Sequence, residues 1–226
     1  MSHHANITRI KAVSNALGPL KNEVVFVGGA TVSLYADRRA IEVRPTDDVD
    51  IVVEIATRYE YAQLEEQLRT LGFQSDITAT FVGRFLLPGI IVDVMPTDET
   101  ILGFSNIWYE GGFKNAVDYI IDEHHTVRIF SAPYFIASKL QAFKNRGNND
   151  GRISTDFEDI IFVLDNRSTI WEEMKSADHE VRKFLLEEFK TLHSNKYVEE
   201  WIAAHAGYGS PPSTYIILDD ILKFIE

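Results

Sequence analysis

Hydrophobic positions change period along this chain, and the change divides it. Ile7, Ile10, Val13 and Leu17 recur at helical spacing, which predicts an amphipathic helix over 7–17 that Gly18-Pro19 ends. Val24-Val25-Phe26-Val27 is a continuous apolar run that stops at Gly28-Gly29 and reads as a strand into a turn. A helix is expected over 30–39. Arg44-Pro45-Thr46-Asp47-Asp48-Val49-Asp50 then leads into a second strand, closed by Ile51-Val52-Val53. Tyr61, Leu64 and Leu68 mark one face of a helix over 57–70 that stops at Gly72. Phe81–Leu87 and Ile90–Met95 read as a hairpin through Pro88-Gly89. Residues 96–112 show no clear period, and 126–130 is a short strand. Ser131-Ala132-Pro133 starts a helix, with Ser131 as its cap and proline in its first turn.

From there helical patterns follow one another, over 134–144, 155–164, 171–175, 180–193, 197–205 and 214–225, with a loop at 207–212 before the last. The pattern therefore predicts an α+β chain. Its α/β domain spans 1–130, and a C-terminal helical domain, 131–226, packs against it.

Composition narrows the class. The 226 residues are 45% hydrophobic, enough for a sizeable core, and no apolar run approaches the ~18 residues of a membrane span. The polar start, Met1–Lys11, lacks the apolar segment of a secretory signal, and His3-His4 is given no function. The absence of cysteine excludes disulfides, thiolate zinc sites and a cysteine nucleophile; it is compatible with a reducing cytosol, and a cytoplasmic protein is expected. A net charge of −12 argues against non-specific binding of long nucleic acid. One local strip is basic, with Lys139, Lys144, Arg146 and Arg152 against the single acid Asp150.

The chemistry concentrates where the second strand begins. Strand side chains alternate, so Asp48 and Asp50 share a face, roughly 6–7 Å apart, while Asp47 points the other way. Two carboxylates so placed can share one or two divalent cations. Asp93 lies between Val92 and Val94 in an otherwise apolar strand, where a carboxylate without a partner or metal is costly. It is the candidate third ligand. Gly28-Gly29 lets the backbone approach a phosphate, and the amides of the following helix start favour an anion. Thr31 and Ser33 offer hydroxyls there. Each feature alone has an ordinary explanation as turn, cap or solvated surface; their combination points to metal-bound phosphate.

These residues resemble the nucleotidyltransferase superfamily of the DNA polymerase beta-like fold. The resemblance rests on the apolar strand ending in Gly28-Gly29, the Asp48-x-Asp50 pair on the next strand, and Asp93 on a later one. Within that superfamily the chain is similar to the AbiEii-type branch, the toxins of type IV toxin–antitoxin systems, through Arg44-x-Thr46-x-Asp48-x-Asp50, the segment 136–146 and the Asp156-x-x-Asp159 element. The likeness spans about 24–164. It implies a mixed sheet with flanking helices, a C-terminal helical region, and Mg2+-dependent transfer of a nucleoside monophosphate from a nucleoside triphosphate to an acceptor hydroxyl or phosphate. It further implies Asp48, Asp50 and Asp93 as catalytic metal ligands for one or two ions. Gly28, Gly29, Thr31, Lys139, Lys144, Arg146 and Asp159 would bind nucleotide or support its site. A tRNA acceptor and a cognate antitoxin are the partners that the toxin branch implies. A small-molecule acceptor, as in aminoglycoside nucleotidyltransferases, is the alternative, and a degenerate nucleotide-binding module without catalysis a third. The Asp48–Val53 segment also fits the D-x-D-x-[TV] pattern of haloacid-dehalogenase phosphatases. That fold places the apolar strand before the first acid, however, and here it follows.

Overall fold

The computed structural model describes residues 2–37, 43–148, 150–207 and 213–226. The chain divides into two compact units, Met1–Leu34 with Arg44–Ser131, and Tyr35–Val43 with Ala132–Glu226.

The first unit is built on a mixed seven-stranded sheet. Its strands are β1 (Val24–Val27), β2 (Asp48–Val53), β3 (Gln74–Ser75), β4 (Arg84–Leu87), β5 (Ile90–Pro96), β6 (Ala116–Asp122) and β7 (His125–Phe130), in the order β3-β4-β5-β2-β1-β7-β6. β2 runs parallel to β5 and β1 parallel to β7; the other neighbours are antiparallel. All four residues of β1 are buried, as its unbroken apolar run requires of a central strand. Helix α1 (Ser2–Leu17) buries Ile10, Val13 and Leu17 of the predicted stripe completely and Ile7 in part. α2 (Arg58–Thr70) begins with a capping box: Thr57 accepts from the Glu60 amide while the Glu60 carboxylate accepts from the Thr57 amide. Two short helices, α3 (Glu99–Leu102) and α4 (Tyr109–Lys114), occupy the stretch that showed no period.

Three local expectations change. The strand expected over 81–87 begins only at Arg84, after a turn at 82–83. The helix expected over 30–39 is a 3₁₀ helix, Gly29–Tyr35. Residues 30–35 are all buried, so the segment has no solvent-facing side and no amphipathic α-helical face to present. The rest of that connection, including Arg38 and Arg39, lies outside the described residues, as does most of the 207–212 loop. The edge strand β6 was not predicted, because it buries too little apolar surface to alternate cleanly; Asp122 closes its turn into β7 by accepting from the amides of His124 and His125.

The second unit is helical: α5 (Ala132–Arg146), α6 (Thr155–Asn166), α7 (Ile170–Ser176), α8 (His179–His193), α9 (Val198–Ala203) and α10 (Ser213–Ile225). Aromatic rings fill its core in two clusters. Phe143, Phe157 and Trp201 meet at 5.2–5.9 Å, and Trp171, Phe189 and Phe224 at 5.6–5.8 Å. Tyr35 and Asp37 are tied to these helices. The Tyr35 ring lies 4.3 Å from that of Phe135, the Tyr35 carbonyl accepts from Arg167, and the Asp37 carboxylate accepts from the Ser168 amide and hydroxyl.

Candidate metal centre

The parallel pairing of β2 and β5 sets Asp50 directly beside Asp93, and Asp48 follows two residues away on the same face. One oxygen from each of Asp48, Asp50 and Asp93 lies within 4.8 Å of the others. Asp48 and Asp50 are half-buried; Asp93 is only 6% exposed. Like charges at such spacing repel by about 1–4 kcal/mol per pair, depending on the local dielectric. Hard carboxylate oxygens in this arrangement suit Mg2+ or a similar cation, so the residues present fit the metal that the sequence implied. Asp47 stands outside the cluster, almost fully exposed, with Arg9 at 3.6 Å.

Gly28 makes room for this cluster. It follows β1, whose last residue, Val27, is opposite Asp50, and it turns the chain with φ +73°. A Cβ on Gly28 would lie 1.8 Å from Asp50 Oδ2. Glycine is therefore needed twice, for the backbone conformation and for the Asp50 carboxylate stacked on it. Gly28→Ala is expected to destabilise the sheet-bearing unit by about 1–3 kcal/mol and to displace Asp50. Thermal unfolding with and without Mn2+ checks this: a parent-like stabilisation by Mn2+ in the alanine variant would refute the displacement.

Gly29 is confined differently, since its Cβ would meet Arg44 Nη2 at 2.7 Å and Thr46 Cγ2 at 2.8 Å. The Arg44–Thr46 loop is held by Asn6, fully buried in α1. Its amide nitrogen donates to the Arg44 carbonyl, and its carbonyl oxygen accepts from the Thr46 amide and hydroxyl. The Thr46 hydroxyl also reaches the Asp48 carbonyl at 3.1 Å. Asn6 thus anchors the segment that delivers Asp48. Sequence reasoning passed over it, although a polar residue four positions before Ile10 on the apolar stripe was a visible signal. Thr31 is buried and its hydroxyl donates to the Gly28 carbonyl, which braces the turn. Ser33 is buried too, and its hydroxyl has no hydrogen-bond partner among the described residues.

Arg84 was also missed. Its Nε and Nη2 donate to the two oxygens of Asp93, both at 2.7 Å. The hydrogen bond to Asp93 holds the guanidinium charged well above the usual arginine range; burial opposes this, and the charges of Asp93, Asp48 and Asp76 add to it. The signal was countable. A two-residue Pro88-Gly89 turn pairs Leu87 with Ile90, and three further steps pair Arg84 with Asp93. Next to Asp93, the Tyr61 hydroxyl of α2 donates to the Val94 carbonyl; burial, then the charges of Glu65 and Asp93, push its pKa up.

The remaining sequence candidates lie in the helical unit. Lys139 is 6% exposed, with its ammonium 3.2 Å from Asp156 and 2.6 Å from Asp159. Arg146 forks onto Asp156 at 2.7 and 2.9 Å, and Lys144 pairs with Glu188. Arg152 pairs with Asp150 and Glu200. The basic strip is thus charge-paired along its length. A separate cleft of about 800 Å³ in the sheet-bearing unit is lined by Glu54, Glu60, Asp98, Glu99 and Glu110. Several of these acids have local duties: Glu60 in the capping box, Asp98 as cap of α3, and Glu110 paired with Lys114.

Sheet order, carboxylate placement and the helical region that follows define an α+β protein of the nucleotidyltransferase fold. The solution structure of the antibiotic-resistance factor ANT(2'')-Ia is similar to it, with a TM-score of 0.51 and 16% sequence identity, over 85% of this chain and 96% of that one. No known family profile and no curated protein matches the sequence. No helix among the described residues is long and apolar enough to cross a membrane.

Proposed function

We propose that the protein is a metal-dependent nucleotidyltransferase that moves a nucleoside monophosphate from a nucleoside triphosphate to an acceptor hydroxyl or phosphate, breaking the α–β phosphoanhydride bond and releasing pyrophosphate. The observation that carries this is the convergence of Asp48, Asp50 and Asp93 within 4.8 Å on adjacent strands of a sheet with this fold. Asp48 and Asp50 hold the cation and, through it, the triphosphate; Asp93 completes the ligand set on the acceptor side. When bound, Mg2+ supplies positive charge to the transferring phosphoryl group and lowers the pKa of the attacking hydroxyl. Gly28 and Gly29 keep the backbone low where the phosphates approach. Positioning and charge suffice for this chemistry, and no covalent nucleophile is required.

Of the cations assigned to the nucleotide, Arg146 is the most accessible, with 70% of its side chain exposed. Lys139 and Lys144 would bind phosphate only by sharing or exchanging their present acidic partners, and Asp159 supports the nucleotide site by holding Lys139.

Two acceptors are carried forward. A cationic small molecule is favoured by the acid surplus, by the pairing of the basic strip with acids, and by the likeness to the antibiotic-resistance factor ANT(2'')-Ia. A tRNA acceptor, with a toxin role held in check by an antitoxin, is supported by the Arg44-x-Thr46-x-Asp48-x-Asp50 resemblance. The test is incubation with each labelled nucleoside triphosphate, Mg2+, and either an aminoglycoside panel or total tRNA. Label on the aminoglycosides supports the first acceptor and label on tRNA the second; no transfer and no triphosphate binding refutes the nucleotidyltransferase reading. The toxin role further predicts growth arrest on induced expression.

A further inference from the structure

We propose that Arg84 is a positioning residue of the metal centre: its guanidinium fork fixes the orientation of Asp93, and its charge sets how tightly the three carboxylates hold a divalent cation. This rests on the metal-dependent reading above and adds a residue that neither the sequence motif nor the likeness to known proteins assigns.

The fold holds Arg84 firmly. The Pro88-Gly89 turn, with Gly89 at φ +76°, sets a register in which Arg84 and Asp93 stand directly opposite across β4 and β5. Gly83, just before it, is pressed against β5. Its carbonyl accepts from the Val94 amide at 2.9 Å, and a Cβ there would lie 2.5 Å from the Val94 carbonyl. On the other side the Arg84 carbonyl accepts from the Asp76 amide at 3.0 Å. The guanidinium is therefore presented from a braced strand.

Its effect on Asp93 follows from geometry. The terminal torsion of an aspartate is broad and roughly two-fold, so an untethered carboxylate samples many orientations. Two parallel N–H···O bonds from one planar fork remove that freedom. Each Asp93 oxygen keeps a second lone pair for a cation shared with Asp48 and Asp50. Partners that orient metal ligands typically matter 10- to 100-fold for activity or affinity. The charge acts in the opposite sense on affinity. A single positive charge about 6 Å from a divalent ion, in a water-like dielectric, weakens its binding about tenfold. Arg84 thus orders the site while keeping its grip on the cation moderate.

The two effects separate in one experiment, with Mn2+ as the probe. Metal-free full-length protein is titrated with Mn2+ and free ion is read by electron paramagnetic resonance, with Asp48→Asn as the control for the site. In parallel, kcat and KM for the triphosphate are measured. Arg84→Gln is expected to bind Mn2+ severalfold to about tenfold more tightly while kcat falls about 10- to 100-fold and KM changes little. Arg84→Lys, which keeps the charge and loses the fork, is expected to restore parental Mn2+ affinity and only part of kcat. Mn2+ affinity in Arg84→Gln equal to or weaker than the parent's would reduce the ion pair to a structural contact and overturn the inference. If Arg84→Gln does not fold, Arg84→Lys carries the test, and a parental kcat in it overturns the inference. A parent protein that binds Mn2+ but transfers no nucleotide refutes the proposed activity, and Arg84 is then judged on Mn2+ affinity alone. A parent that binds no Mn2+ overturns both.

Discussion

Replacing Asp50 with asparagine is expected to lower nucleotidyl transfer by about 10³-fold or more while leaving the fold intact. Asp50 is the central member of the cluster. It pairs with Val27 on one side and Asp93 on the other, and its carboxylate rests on Gly28. A metal ion contributes several kcal/mol to charge stabilisation in phosphoryl transfer, and each 1.36 kcal/mol is tenfold in rate. Asparagine keeps the shape of the side chain but removes the charge that binds the cation. The same substitution takes one negative charge from a repelling trio, so the metal-free protein should unfold no more easily than the parent. Transfer of labelled nucleotide together with thermal unfolding measures both quantities. Activity within tenfold of the parent would remove Asp50 from the centre; parallel loss of activity and fold would show a structural role instead.

Lys139→Met should cost about 3–5 kcal/mol of stability, the largest change expected in the helical unit. It leaves Asp156 and Asp159, both nearly fully buried, without their shared ammonium. The contrasting substitution is Lys144→Met. That lysine is half exposed and its pair with Glu188 sits at the surface, so its loss should cost about 1 kcal/mol or less. Urea unfolding followed by tryptophan fluorescence compares the two, since Trp171 and Trp201 lie in the helical unit. Equal costs for the two variants would contradict the buried-network account.

The same network predicts a pH dependence with a definite sign. Burial alone would push the Asp156 carboxyl up. Hydrogen bonding from Arg146, with the charges of Lys139 and Arg146, outweighs burial and holds it below the usual carboxylate range. A depressed folded-state pKa contributes stability that is fully present above the unfolded value of about 4 and is lost as pH falls through the folded value below it. Acid unfolding of the parent should therefore steepen below about pH 4. In Asp156→Asn that part of the slope should be missing, at the expense of lower stability at neutral pH. An unchanged acid profile in the variant would exclude Asp156 as its source.

What could be read from the residues alone was whatever depends on near neighbours. Alternation along a strand placed Asp48 and Asp50 together and Asp47 apart. The unbroken apolar run identified β1 as a strand, the Pro88-Gly89 turn identified the β4–β5 hairpin, and helical periodicity located α1, α2 and the α5–α10 series. Each signal is local, because turn chemistry and side-chain period act over a few residues.

Where those elements meet was decided by the closed fold. Asp93 neighbours Asp50 because β5 inserts between β4 and β2 and runs parallel to β2, and a parallel pairing between segments forty residues apart has no local signature. Asn6 reaches Thr46 only once α1 lies against that loop. Lys139 is one cation of a basic strip in the one-dimensional pattern and a buried ion-pair partner in the folded helices, because the charge that meets it, Asp159, comes from the next helix. The sequence by itself determined that two carboxylates would share a strand face beside a glycine turn. Tertiary structure supplied the contact of the third carboxylate, Asp93, with that pair, the arginine that grips it and the bare Gly28 surface on which Asp50 rests, because those depend on which distant strands exclude water together.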